Sequence, residues 1–213
     1  MEFIRELDEF IFIATLALPI LYFTRYAIYS NAYRIFSWYL LAMATVEWAL
    51  RIVLLYDLND TNSFLFVYFF IAQFILLSLF YRELLGYKWI NFVTVGCILF
   101  FGVQYILEPH LLLKYNPVGA SVAQGVIVVY ALVYFYKLLS EKGELVIVNI
   151  AIFFFLLCSM LIFATGNLMV DKLISDDFAW ILQDLHFIFY FIFIGLVFVE
   201  WVKNYRTISF KQV

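Results

Sequence analysis

Charge, cysteine, proline and histidine are all scarce in this chain. Only 14% of its 213 residues are charged, whereas 67% are hydrophobic and 22% aromatic; a soluble domain carries about 25% charge and about 45–50% apolar residues. With a mean hydropathy of +0.99 there is too little polar surface to face water, which excludes a cytosolic enzyme, a disordered chain and a secreted disulfide scaffold. Cys97 and Cys158 stand alone within apolar runs instead of at a C-x-x-C spacing, and read as small buried residues. The two histidines, His110 and His186, cannot supply a three-imidazole zinc site. No H-E-x-x-H, G-x-S-x-G or phosphate loop occurs, and no lysine lies between Phe178 and Val202 to carry retinal. No metal and no cofactor is expected. A net charge of −3 without a basic stripe gives nucleic acid nothing to bind.

What the chain has in abundance is long apolar runs. A bilayer core of about 30 Å needs roughly 20 helical residues at about 1.5 Å each. Seven runs of that kind are separated by polar punctuation, at residues 10–29, 32–56, 64–85, 89–107, 118–139, 146–170 and 178–202. Their continuous apolar character fits helices and not the alternating strands of a barrel. The expected fold class is therefore all-α, a polytopic seven-transmembrane helix bundle forming a single domain over residues 1–213. The acidic segment Met1–Glu9 lacks the basic start of a signal peptide, so the first span is expected to stay in the mature protein. Alternate connections hold Arg5, Lys114 and Lys172 on one side, and Arg25, Arg34, Arg82, Lys88, Lys137, Lys142, Lys203, Arg206 and Lys211 on the other. That asymmetry predicts an N-terminus outside and a C-terminus in the cytoplasm.

Ionisable and amide groups within a span are costly unless paired or hydrated, so their positions carry the functional signal. Glu47 and Arg51 are i and i+4 on one helix face and should pair, with Trp48 able to lie over the guanidinium. Gln183, Asp184 and His186 open the seventh span, with Asp184 roughly 9 Å below the outer boundary at helical rise. Gln104, Gln124 and Asn167 fall in the outer half of their helices and Glu47 and Gln73 deeper, toward mid-membrane, whereas the inner half holds little beyond Ser37, Thr94 and Asn149. These levels predict an outward-facing polar cavity lined by Glu47, Trp48, Arg51, Gln73, Gln104, Gln124, Asn167, Gln183, Asp184 and His186. The competing reading is that the same groups satisfy one another as packing glue. Two carboxylates, an arginine and a histidine exceed what packing needs. Asp184 and His186 are about 200° apart on a helix, so both cannot face one cavity. Pro19 should bend the first span.

Several segments also carry a resemblance: Phe64 through Glu83, Tyr134-Phe135-Tyr136-Lys137-Leu138-Leu139, Ala164-Thr165-Gly166-Asn167-Leu168, and Trp180 with His186. Together they resemble an uncharacterised family of small seven-span proteins common in Bacteroidota, and the topology is similar to the seven-span sensory modules of bacterial histidine kinases. The resemblance implies a multi-pass protein of the cell inner membrane and assigns no site residues. Little chain follows the last span, so any output is expected to pass to a separate cytoplasmic or membrane signalling partner. The leading expectation is a sensory or signalling subunit in contact with membrane lipid, binding a small ligand, ion or lipid headgroup. A proton-coupled carrier using Glu47 and Asp184, and a lipid-modifying enzyme using Asp184 and His186 as base and acid, remain open beside it.

Overall fold

The computed structural model describes residues 2–56, 63–112, 116–164 and 176–206. They form seven α-helices and, among the described residues, no strand. The helices are α1 (Glu2–Phe23), α2 (Asn31–Leu55), α3 (Ser63–Leu85), α4 (Trp89–Leu107), α5 (Pro117–Leu138), α6 (Val146–Ala164) and α7 (Asp176–Glu200). A short 3-10 turn, Pro109–Leu112, follows α4, and a π turn, Trp201–Tyr205, extends α7. Five stretches are long and apolar enough to cross a membrane, in α2, α3, α4, α5 and α7, which marks a membrane protein. The apolar parts of α1 and α6, Glu9–Phe23 and Val146–Ile162, are shorter.

Local chemistry sets most of the helix ends. Ser30 opens α2 by accepting from the backbone N–H of Tyr33 at 3.2 Å. Asn116 does the same for α5, taking the Gly119 N–H at 2.9 Å ahead of Pro117 at the first helical position. The first helix differs from expectation, running from residue 2 and stopping at Phe23 instead of covering 10–29. Its acidic start is compatible with helix, and at its end Arg34 binds the carbonyls of Tyr26 and Ala27, both at 3.1 Å, which holds Thr24–Ser30 as a turn. Pro19 lies inside α1 and has no N–H for the Thr15 carbonyl one turn earlier.

Six of the helices close a ring in the order α1, α2, α3, α5, α6, α7 and back to α1, and α4 packs on the outside of α3. Two contacts brace α4 against α5: the Trp89 and Tyr130 rings at 5.6 Å, and a pair of amide bonds between Gln104 and Asn116 at 3.0 and 3.3 Å. Most of the rest of α4 looks outward, with Phe92 and Ile106 more than three-quarters exposed, as a lipid-facing helix should. The ring encloses one core in which Phe36, Phe74, Leu77, Phe80, Ile127, Ile152 and Val197 are almost wholly buried. Small residues let α5 and α6 approach closely; a side chain at Gly125 would meet the Met160 sulfur at 3.4 Å. Cys97 and Cys158 are free thiols and only half-buried, a correction to their expected full burial. Both sit on helix faces that are only partly covered.

Candidate functional site

Towards one end the ring is incompletely filled. A cavity of about 120 Å³ lies between α1, α2, α3, α6 and α7, room for several waters. On α2 the helical stripe Tyr39, Met43, Glu47 and Leu50 faces it, and on α7 the stripe His186, Tyr190 and Phe193. Thr15 of α1, Gln73 and Phe69 of α3 and Phe155 of α6 complete the walls. The Thr15 hydroxyl donates to the Ile11 carbonyl at 2.8 Å, whereas three polar contacts between helices are longer. Gln73 Nε2 donates to the Tyr39 hydroxyl at 3.3 Å, and the Thr15 and Tyr190 hydroxyls meet at 3.3 Å. The Ser159 hydroxyl and His186 Nδ1 are 3.4 Å apart. All three lie beyond the usual hydroxyl or amide optimum of about 2.7–3.0 Å. Phe155 is the centre of an aromatic wall, with His186, Tyr190 and Phe193 ring centroids at 5.6, 5.5 and 5.2 Å.

Three of the expected site residues, Glu47, Gln73 and His186, meet here. Glu47 is the only carboxylate in the described walls, and Arg51 Nε stands 3.7 Å from its Oε1, so the expected i,i+4 pair forms. Arg51 is not part of the lining; its guanidinium lies over the Phe12 ring at 4.1 Å. Trp48 was expected to occupy that place and does not. Its ring packs 5.4 Å from Phe12 on the outward face, and it is 44% exposed. A helix turns 300° over three residues, which leaves Trp48 about 60° from Arg51, and the neighbouring α1 inserts Phe12 between them.

The other expected residues lie apart. Gln104 is on the peripheral α4, where the Asn116 amide satisfies it. Gln124 is 1% exposed inside α5 and away from the cavity walls, its amide without a hydrogen-bond partner among the described residues. Asp184 is half-buried and does not line the cavity, whereas His186 does. The two faces of α7 are thus divided as the 200° separation requires, and no base and acid pair meets there. Only the helical backbone of Gln183 is described, and Asn167 lies outside the described residues. Common depth therefore did not mean a common site, because depth along a helix leaves its azimuth open.

Sequence reasoning missed Thr15, Tyr39 and Tyr190. The available signal was depth: Tyr39 is eight residues from the start of α2 and Tyr190 ten from the end of α7, about 12 and 15 Å inside those helix ends. It also missed polarity at the opposite end of the bundle. The Glu200 side chain is fully buried and accepts from the backbone N–H of Ile147 at 2.8 Å and from Asn204 Nδ2 at 2.6 Å. Tyr81 donates to Asn149 Oδ1 at 2.7 Å, Tyr22 to the Val197 carbonyl at 3.0 Å, and Tyr134 to the Glu144 carbonyl at 2.6 Å. Ser30 donates to Glu144 Oε2 at 2.8 Å. The expectation of an inner half holding little beyond Ser37, Thr94 and Asn149 is corrected accordingly. Ser37 and Thr94 bond back to their own helices.

Among the described residues no group of three or more His, Cys, Asp or Glu side chains is placed to hold a metal. Comparison with family models, curated proteins and solved structures gives no significant match.

Proposed function

We propose that this protein is a seven-span subunit of a bacterial inner membrane that binds a small ligand in the α1–α2–α3–α6–α7 cavity and passes its occupancy to a partner. One observation carries the reading: a mostly apolar, aromatic-walled cavity with a few convergent polar groups, the usual make-up of a small-ligand site. In this reading α1 and α6 also cross the bilayer, and the excess of Lys and Arg at the Glu200 end faces the cytoplasm. Helix α7 is the relay. It carries His186 at the cavity and Glu200 fourteen residues further on, about 21 Å away, where the Glu200 carboxylate holds the start of α6. A ligand that rotates or tilts α7 strains that cap, and the π turn beyond it is the kind of irregular backbone that accommodates such motion. The partner reads the α7 end.

The test is thermal unfolding of purified protein against a panel of small amphiphiles, with Met43→Trp as the filled-cavity control. A compound that stabilises the wild type and not the folded Met43→Trp protein supports the site. If no compound separates the two, the cavity is a packing defect. The carrier reading retains one favourable observation, the Glu47 carboxylate at the cavity wall. It calls for pH-dependent solute flux in proteoliposomes that disappears in Glu47→Gln.

A further inference from the structure

We infer that the ligand class of this cavity is a small organic cation, an alkylammonium or quaternary amine, held by Glu47 and by aromatic faces. The inference rests on the cavity being a ligand site and adds the chemistry that selects the ligand. Seven of the eighteen lining residues are aromatic, all of them Phe or Tyr, about 39% against the 22% of Phe, Trp and Tyr in the whole chain. The enrichment therefore exceeds what the composition supplies. Ring faces carry partial negative charge and attract cations most strongly where water is excluded. The Phe155, Tyr190 and Phe193 rings are mutually packed at 5.2–6.1 Å, which keeps that wall in place without a ligand to order it.

Charge decides between ligand classes. Glu47 is the only carboxylate in the described walls, and no Lys or Arg is among them. An anion would meet a carboxylate and ring faces, both repulsive, with only neutral donors such as Gln73 and Tyr39 to offset them. A purely apolar guest would desolvate Glu47, Gln73 and His186 and return no hydrogen bond or charge. A cation meets attraction from the carboxylate and from the aromatic wall together. Arg51 approaches the same carboxylate from outside the lining, at 3.7 Å, and is itself seated on Phe12. Two cations then compete for Glu47, one from each side. The two members of the ion pair accordingly have opposite effects on ligand affinity, which mere packing glue does not produce.

The experiment compares choline with its neutral carbon isostere, 3,3-dimethylbutan-1-ol, by calorimetric titration of the full chain in lipid nanodiscs. Choline should bind at least about tenfold tighter than the isostere. Glu47→Gln should erase that preference, Arg51→Gln should tighten choline, and Phe155→Leu should weaken choline about tenfold with little change for the isostere. Equal binding of the two compounds would leave the ligand site standing and overturn the cation assignment. Binding of neither also overturns it, while the site itself is judged by the Met43→Trp comparison. Retention of the preference in Glu47→Gln would likewise sink the assignment. If Glu47→Gln does not fold, Phe155→Leu decides, since unchanged choline binding there refutes the aromatic contribution.

Discussion

The two ends of this bundle hold similar polar residues and use them in opposite ways. At the Glu200 end the groups close on one another. Glu200 takes a backbone N–H and the Asn204 amide, Asn149 takes the Tyr81 hydroxyl, and Lys137 Nζ donates to the Leu84 carbonyl at 3.0 Å at the end of α3. Most of these bonds are 2.6–3.0 Å long and join different helices or tie in the connections between them. At the cavity end the bonds that join different helices among the described residues are 3.3–3.4 Å and surround space. A polar group in a membrane bundle is thus a fastener where partners fill its valences at short range, and a candidate recognition group where it borders a void. Residue type alone does not tell the two apart.

The largest test of that contrast is Glu200→Ala. It leaves the Ile147 N–H buried without an acceptor and removes a carboxylate from a helix N-terminus, so unfolding in detergent should become easier by about 3 kcal/mol. Glu200→Gln keeps an acceptor oxygen and should cost about 1 kcal/mol. A Glu200→Ala protein as stable as wild type would break the comparison at its stronger side. Next in size is Asn149→Leu, which orphans the buried Tyr81 hydroxyl. A loss of about 1–2 kcal/mol is expected, with Tyr81→Phe in the Asn149→Leu background recovering part of it; a double-mutant cycle measures the coupling. Glu47→Gln on the cavity side should shift stability by less than about 1 kcal/mol, because glutamine keeps a carbonyl oxygen facing Arg51. Its effect belongs to ligand response. A collapse on Glu47→Gln would make the cavity end a fastener as well. The smallest effect is expected from Ile106→Ala on the outward face of α4, within about 0.5 kcal/mol of wild type, read in the same unfolding assay. A larger loss would mean that α4 packs against more than lipid.

Much of the fold was legible because it depends on local quantities. Run length and the break at residues 86–88 sit within a few residues of the structure they cause, and so does the i,i+4 pairing of Glu47 with Arg51, whereas the first break, at residues 24–30, falls earlier than the apolar run implied because Arg34 ties up the Tyr26 and Ala27 carbonyls. The site was legible in part. Glu47, Gln73 and His186 were found by their chemistry, whereas Gln104, Gln124 and Asp184 have similar chemistry and sit elsewhere. The cap on α6 was illegible. Leu145 precedes that helix with φ of +54° and no side-chain acceptor, a costly conformation for a non-glycine residue. The acceptor that completes the helix start belongs to Glu200, more than fifty residues later.

The sequence by itself determined that this is a membrane protein built of helices and where most of the described helices lie along the chain, since hydrophobic length and end chemistry act over one turn or one span. Only the tertiary structure decided that six helices close a ring, that α4 stands outside it, and which polar side chains share a void. Those outcomes depend on the rotation of each helix about its axis, and rotation is set by packing many side chains at once.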